Sequence, residues 1–270
     1  MIETRDSRPP TVPGKPALGA LAGEWIKFWT LRSNRVLAAI ALLFVPLNGV
    51  LLAVSLRQRA EDPDTSFLIP SVEPAAFVDS VLWVQLLISV IAVLFATSEN
   101  GGFLGVSFLA TPKRVPVALA KAAVIASVVF VIGTVGALAG LLLPSVMLTG
   151  TEVTYHAPVS DVVGLALGSG AYLAGIALVA YGIAVLVSNI VIAVLAPIAL
   201  FTIVPAVLEW VGGDTIATLA GYFPSVAGRT AISAMVNPAG LDAATGLLVL
   251  GGWAVIAVVG AALVYRYRDA

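Results

Sequence analysis

Apolar residues along this chain fall in long blocks separated by short polar breaks. A helix needs roughly 20 mainly apolar residues to cross a bilayer. Six blocks have that length: 36–56, 76–96, 117–143, 165–187, 190–210 and 243–265. Arg35 and Arg57 bracket the first, and Thr97-Ser98-Glu99 closes the second. The third ends near Pro144, and Arg266-Tyr267-Arg268-Asp269 closes the sixth. Ser188-Asn189 divides the fourth from the fifth, because the apolar run around that pair is too long for one helix. Pro46, Pro197 and Pro205 fall inside blocks and should kink their helices. The pattern predicts an all-α, polytopic membrane protein with six transmembrane helices.

Four segments outside the blocks have their own signatures. Residues 1–16 are polar and proline-rich and read as a disordered tail. They lack the apolar core of a signal peptide. In 17–35, Leu21, Trp25, Phe28 and Trp29 recur at helical spacing and form one apolar face, with Glu24 and Lys27 off it. A short amphipathic helix with two tryptophans just before a span should lie in the interface plane. It fits either a plain membrane anchor or an elbow that also packs on a partner. The loop 97–116, TSENGGFLGVSFLATPKRVP, is too polar and glycine-rich to span. Its apolar Phe103, Leu104, Val106, Phe108 and Leu109 lie between charges from Glu99, Lys113 and Arg114, and Pro112 limits any short helix. It fits an interfacial turn or a protein contact. In 211–242, residues Asp214–Leu219 and a stretch from Pro224 to about Met235 predict short helices. They read as a lid over the bundle.

Composition narrows the class. Of 270 residues, 60% are hydrophobic and 11% charged, against about 45–50% and about 25% in a soluble domain. An ordinary soluble domain, intrinsic disorder and nucleic-acid binding are excluded. The net charge of −1 makes no field for a polyion. The absence of cysteine excludes disulfides, thiolate metal sites and thiol catalysis. Lys and Arg set the orientation. With the N-terminus inside, only Arg57, Arg59 and Arg229 fall outside, so both termini are expected in the cytoplasm.

Chemistry at depth is sparse. The span centres carry no ionisable residue, since Asp79, Glu99 and Glu209 sit at span ends. Asn48 and Gln85 are the polar residues at depth, each able to make an interhelical hydrogen bond of about 0.6 kcal/mol. Gly136/Gly140 and Gly164/Gly168 have the spacing that lets helices approach closely. There is no phosphate-binding Gly-x-x-x-x-Gly-Lys-Ser/Thr and no His-Glu-x-x-His. The one histidine, His156, reads as a solvated loop residue. An enzyme is not expected, and the lack of buried acids argues against an ion-coupled carrier.

The order of these features resembles the ABC-2 type permease family. The resemblance rests on six spans, the stretch Glu24-Trp25-Ile26-Lys27-Phe28-Trp29-Thr30-Leu31-Arg32-Ser33, Thr97-Ser98-Glu99 closing the second span, and Leu109-Ala110-Thr111-Pro112-Lys113-Arg114 leading to Ala118-Leu119-Ala120-Lys121. It implies a type V exporter-like fold in a bacterial plasma membrane. It also implies a second permease chain, as in a homodimer, and two copies of a separate ATP-binding subunit. ATP and Mg would belong to that subunit, with no cofactor on this chain. Glu99, Phe103, Phe108, Pro112, Lys113 and Arg114 would then face the ATPase from a coupling loop. Trp25, Lys27, Trp29 and Arg32 would belong to a connecting helix. The second and fifth spans would line the path, with Gln85 and Asn48 as possible lining residues. Many relatives have an aromatic after the Ser-Glu pair, where this chain has Asn100-Gly101-Gly102-Phe103. The cargo would be hydrophobic or amphipathic: a drug, natural product, peptide or lipid. The competing readings are an ATPase-independent channel or secondary carrier, and a peptide-binding immunity protein.

Overall fold

A computed structural model describes residues 16–62, 71–98, 114–151, 153–187, 189–233 and 236–267. Among these the chain is helical: α1 Pro16–Thr30, α2 Arg32–Glu61, α3 Val81–Thr97, α4 Arg114–Met147 and α5 Val159–Leu186. There follow α6 Ile190–Ile198, a π-helical turn Ala199–Ile203, α7 Val204–Val211, α8 Asp214–Ala220, α9 Pro224–Arg229 and α10 Ala243–Tyr267. Five segments are long and apolar enough to cross a membrane: α2, α4, α5, the 22-residue run 190–211, and α10. The sixth apolar segment, α3, has 17 helical residues. Its predicted first turn is instead a 3-10 turn, Pro74–Phe77. Pro74 opens that turn, and Phe77 is buried edge-on against Tyr155 with centroids 4.8 Å apart.

Helix ends differ from the apolar blocks for local reasons. α2 begins at Arg32 because Leu31 is extended (φ −72°, ψ 115°), which breaks the predicted 17–35 helix from the span. At its other end the Arg57–Glu61 pair, 3.0 Å apart at i,i+4, carries the helix past the apolar block. α5 stops at Leu186, and the Asn189 side chain caps α6 by accepting from the Val191 and Ile192 amides. α4 does not end at Pro144 but runs through it to Met147. α9 stops at Arg229, short of Met235 (which lies outside the described residues). The Thr230 hydroxyl there sits between the carbonyls of Ala227 and Asp242, 2.8 and 3.1 Å away.

α5 is the hub and packs against α3, α4, α6 and α10, while α2 packs on α4. Water supplies no driving force between helices in hydrocarbon, so association rests on close packing of small residues. A Cβ on Gly182 of α5 would lie 2.6 Å from the Ala257 carbonyl oxygen of α10. One on Gly170 would lie 2.7 Å from the Phe130 carbonyl oxygen of α4.

The α2–α4 seam adds a second device. Proline removes the N–H that would bond the carbonyl four residues back. Pro46 thus frees the carbonyl of Leu42, and Pro144 that of Gly140. Each freed oxygen lies against a glycine of the other helix. A Cβ on Gly136 would lie 3.3 Å from the Leu42 oxygen, and one on Gly49 would lie 2.6 Å from the Gly140 oxygen. The Gly136/Gly140 spacing is therefore a packing seam. In the second pair, Gly168 packs on Ala231, but Gly164 faces open space.

Asp242 caps α10. Its carboxylate accepts from the Thr245 amide at 2.8 Å and the Thr245 hydroxyl at 2.6 Å. These bonds, the hydroxyl's first, hold its carboxyl below the usual range. A depressed folded-state value means that the cap stabilises above the ordinary carboxylate range and is lost as pH falls through the lowered value. Amide exchange at 243–246, corrected for intrinsic rate, should therefore accelerate on acidification, and Asp242→Asn should remove that response. Gly182→Leu should destabilise the bundle by about 1–3 kcal/mol or more, read as a lower melting midpoint in detergent. Gly251→Ala, with open space at the Cβ position, should stay within about 1 kcal/mol of the parent.

Candidate functional site

The two ends of the bundle carry different chemistry. At one end, α1 is fixed to the bundle by charge. Glu24 is 3% exposed and Lys121 of α4 is 0% exposed. The Lys121 Nζ lies 3.0 Å from one Glu24 carboxylate oxygen, and the Lys27 Nζ lies 2.8 Å from the other. Lys121 also stands over the Phe95 ring, 4.8 Å from its centroid, and Phe95 meets the buried Phe28 edge-on at 5.2 Å.

Of the expected apolar face of α1, only Phe28 packs into the bundle. Its buried stripe contains Glu24 and Phe28, whereas Trp25 and Trp29 are exposed and stack edge-on at 6.0 Å. Helical spacing groups the large apolar residues, but the bundle buries the face holding the carboxylate, where Glu24 meets Lys121 of α4. Arg32 is exposed just beyond the break. The clamp touches the last turn of α3 through Phe95 and the second turn of α4 through Lys121. Those two helix ends bracket residues 97–116. Arg114 opens α4. Glu99, Phe103, Phe108, Pro112 and Lys113 lie outside the described residues.

The other end holds a cavity of about 340 Å³ between α3, the π turn with α7, and α9. Its origin is again a proline. In the π turn the Val204 amide reaches back five residues to the Ala199 carbonyl. Pro205 cannot donate to the Phe201 carbonyl four residues back. The buried Ser225 hydroxyl of α9 donates to that oxygen instead, at 2.8 Å. Single π turns inside helices are frequent at functional sites. α9 is consequently built into the bundle, with Pro224 to Gly228 all buried, and is not a surface lid. Gly228 lies under the Tyr172 ring, where a Cβ would meet Cδ2 at 2.6 Å.

Asp79, Gln85, Glu209 and Arg229 line this cavity with Leu82, Leu86 and Phe201. Gln85 is buried, and its amide oxygen accepts from the Tyr172 hydroxyl of α5. Asn48, the other polar residue expected at depth, is half-buried and donates to the Phe44 carbonyl of its own helix at 2.9 Å. It is not on the cavity wall. Sequence reading placed Asp79, Glu209 and Arg229 at span ends or in an outer loop but had no means to group them. A larger open groove of about 970 Å³ lies on the same side of the bundle, with Glu73, Asp161, Gly164 and Thr230 on its walls.

Long apolar helices, glycine-seamed packing and an amphipathic helix bound to the bundle define a helical protein built to sit in a membrane. No family model matches the chain, and no curated protein matches it.

Breaking a buried ion pair from one side leaves an uncompensated charge and costs about 3–5 kcal/mol. Lys121→Met should therefore lower the melting midpoint strongly. Glu24→Leu combined with Lys121→Met should recover most of that loss, since removing both charges leaves neither one stranded. A double variant as unstable as the single one would show that packing, not charge, holds α1.

Proposed function

We propose that this chain is the membrane-spanning subunit of an ATP-driven exporter of the ABC-2 type. In this reading α3 is the sixth span, both termini face the cytoplasm, and the protein resides in a bacterial plasma membrane. The observation that carries the reading is the clamp of Glu24, Lys121, Phe28 and Phe95. A helix that served only as an anchor would need only its tryptophans in the interface. α1 is instead bonded to both helix ends that flank the loop 97–116. A force applied to that loop, or to α1, reaches α3 and α4 through an ion pair and an aromatic contact rather than through slack chain.

The mechanism follows from that linkage. A separate ATPase dimer docks on the loop 97–116, with Glu99, Phe103, Phe108, Pro112, Lys113 and Arg114 in contact. Its closure on ATP moves the loop, and the clamp converts the movement into a shift of α3 and α4 relative to α5. Two copies of the chain form the translocation unit, and the cargo is hydrophobic or amphipathic. The cavity between α3 and α7, on the opposite side from the clamp, lies on the segments that the resemblance assigns to the path. Its mixed lining suits an amphipathic molecule.

The test is co-purification. The tagged chain, expressed in its native host and extracted in mild detergent, should bring down a nucleotide-binding protein in stoichiometric amount by mass spectrometry. Phe103→Asp with Phe108→Asp should release that partner and its stimulated ATP hydrolysis, with the helical content unchanged. A chain that purifies without an ATPase under several extraction conditions would move the assignment to an ATPase-independent channel or carrier.

A further inference from the structure

We infer that the cavity between α3 and α7 is a recognition site for a lipophilic amine: a molecule with one ammonium group, a nearby acceptor oxygen and an apolar body. Three observations converge on it. The first is charge. Two carboxylates, Asp79 and Glu209, and one guanidinium, Arg229, line the cavity. Whatever Arg229 neutralises, one negative charge is left over. Neither carboxylate side chain has an ion-pair or hydrogen-bond partner among the described residues.

The second is Gln85. It is 7% exposed, and its amide oxygen is taken by the Tyr172 hydroxyl. A glutamine amide has two N–H donors, and those of Gln85 have no protein acceptor among the described residues. On a residue that lines a cavity, such donors can bind a ligand oxygen. The third is shape. Leu82, Leu86 and Phe201 supply apolar wall beside these polar groups, and the exposed Trp83 ring stands at the edge. An ammonium at the carboxylates, an oxygen at Gln85 and an apolar body on the remaining wall use the acidic, donor and apolar surfaces of the cavity, and Arg229 has an interaction of its own. A cation also gains from an aromatic face. A fatty-acid anion would meet the surplus carboxylate, and a hydrocarbon would leave both carboxylates and the Gln85 amide without partners.

Calling this molecule the cargo rests on the exporter reading, but the binding itself is a property of the chain alone. The probe is dansylcadaverine, which carries a primary ammonium, sulfonyl oxygens and a naphthalene body. Its N-acetyl derivative keeps the body and lacks the charge. Both are titrated by dansyl fluorescence against the purified full-length chain in nanodiscs of net-neutral lipid, with empty nanodiscs subtracted. The amine should bind at least about tenfold more tightly than the acetylated form, equivalent to about 1.4 kcal/mol. Asp79→Asn with Glu209→Gln should reduce that preference to less than about twofold, while the neutral probe binds as before. Equal binding of the two probes, no saturable binding of the amine, or a double variant that keeps the preference would each overturn the site. A missing preference alongside a co-purifying ATPase removes the site and leaves the exporter. A clear preference without an ATPase leaves the site and removes the exporter.

Discussion

A backbone carbonyl without a partner costs several kcal/mol in hydrocarbon, and the arrangement of this bundle follows from how it meets that constraint. Four prolines lie inside three of its long helical runs, Pro46, Pro144, Pro197 and Pro205, and each removes one N–H. Two of the freed carbonyls, at Leu42 and Gly140, are turned onto glycines of the facing helix. There the absence of a Cβ allows the backbones to meet, and a glycine Cα–H can stand opposite the oxygen as a weak donor. In the run 190–211, the carbonyl that Pro205 frees, at Phe201, receives the Ser225 hydroxyl. That bond draws α9 into the bundle, and α9 in turn supplies Arg229 and Val226 to the cavity wall. The same constraint thus produces a tight seam in one place and a cavity in another. The difference lies in whether a glycine or a hydroxyl answers the proline.

The two ends of the molecule use charge in opposite ways. At the clamp, Glu24 and Lys121 are removed from water and neutralise one another, with Lys27 on the second carboxylate oxygen. Buried pairs of this kind contribute little net stability over an apolar pair, but they penalise every arrangement in which one partner is left alone. They therefore fix where α1 sits. At the cavity, Asp79 and Glu209 stand at an opening and have no protein partner among the described residues. Charge there is held available rather than spent. The end where charge is paired and the end where it stands open are joined by α3, which packs on α5.

Much of the fold was legible because hydrocarbon imposes simple rules on sequence. Block length marked the helices, and Ser188-Asn189 marked a helix boundary because Asn189 caps α6 with its own side chain. Gly136 and Gly140 marked a seam because spacing along one helix is a local property. The exceptions are equally specific. Pro144 looked like a terminus, since the sequence does not show that Gly49 of another helix lies against the Gly140 carbonyl. Glu24 fell off the apolar face of α1 and its burial was not visible, since its partner Lys121 is 97 positions away along the chain. Gln85 and Asn48 looked alike as polar residues at depth, yet one has Tyr172 of α5 within reach and the other only its own helix.

The sequence by itself determined that this chain is a bundle of apolar helices with one amphipathic helix before the first span. Apolar length, charge distribution and capping residues act within a single segment and need no partner. Only the tertiary structure decided which face of α1 is buried, that α9 is part of the bundle wall, and that Asp79, Gln85, Glu209 and Arg229 share one cavity. Each of those outcomes depends on a contact between residues far apart in the chain. Their energies exist only once the helices have packed, so no local pattern encodes them.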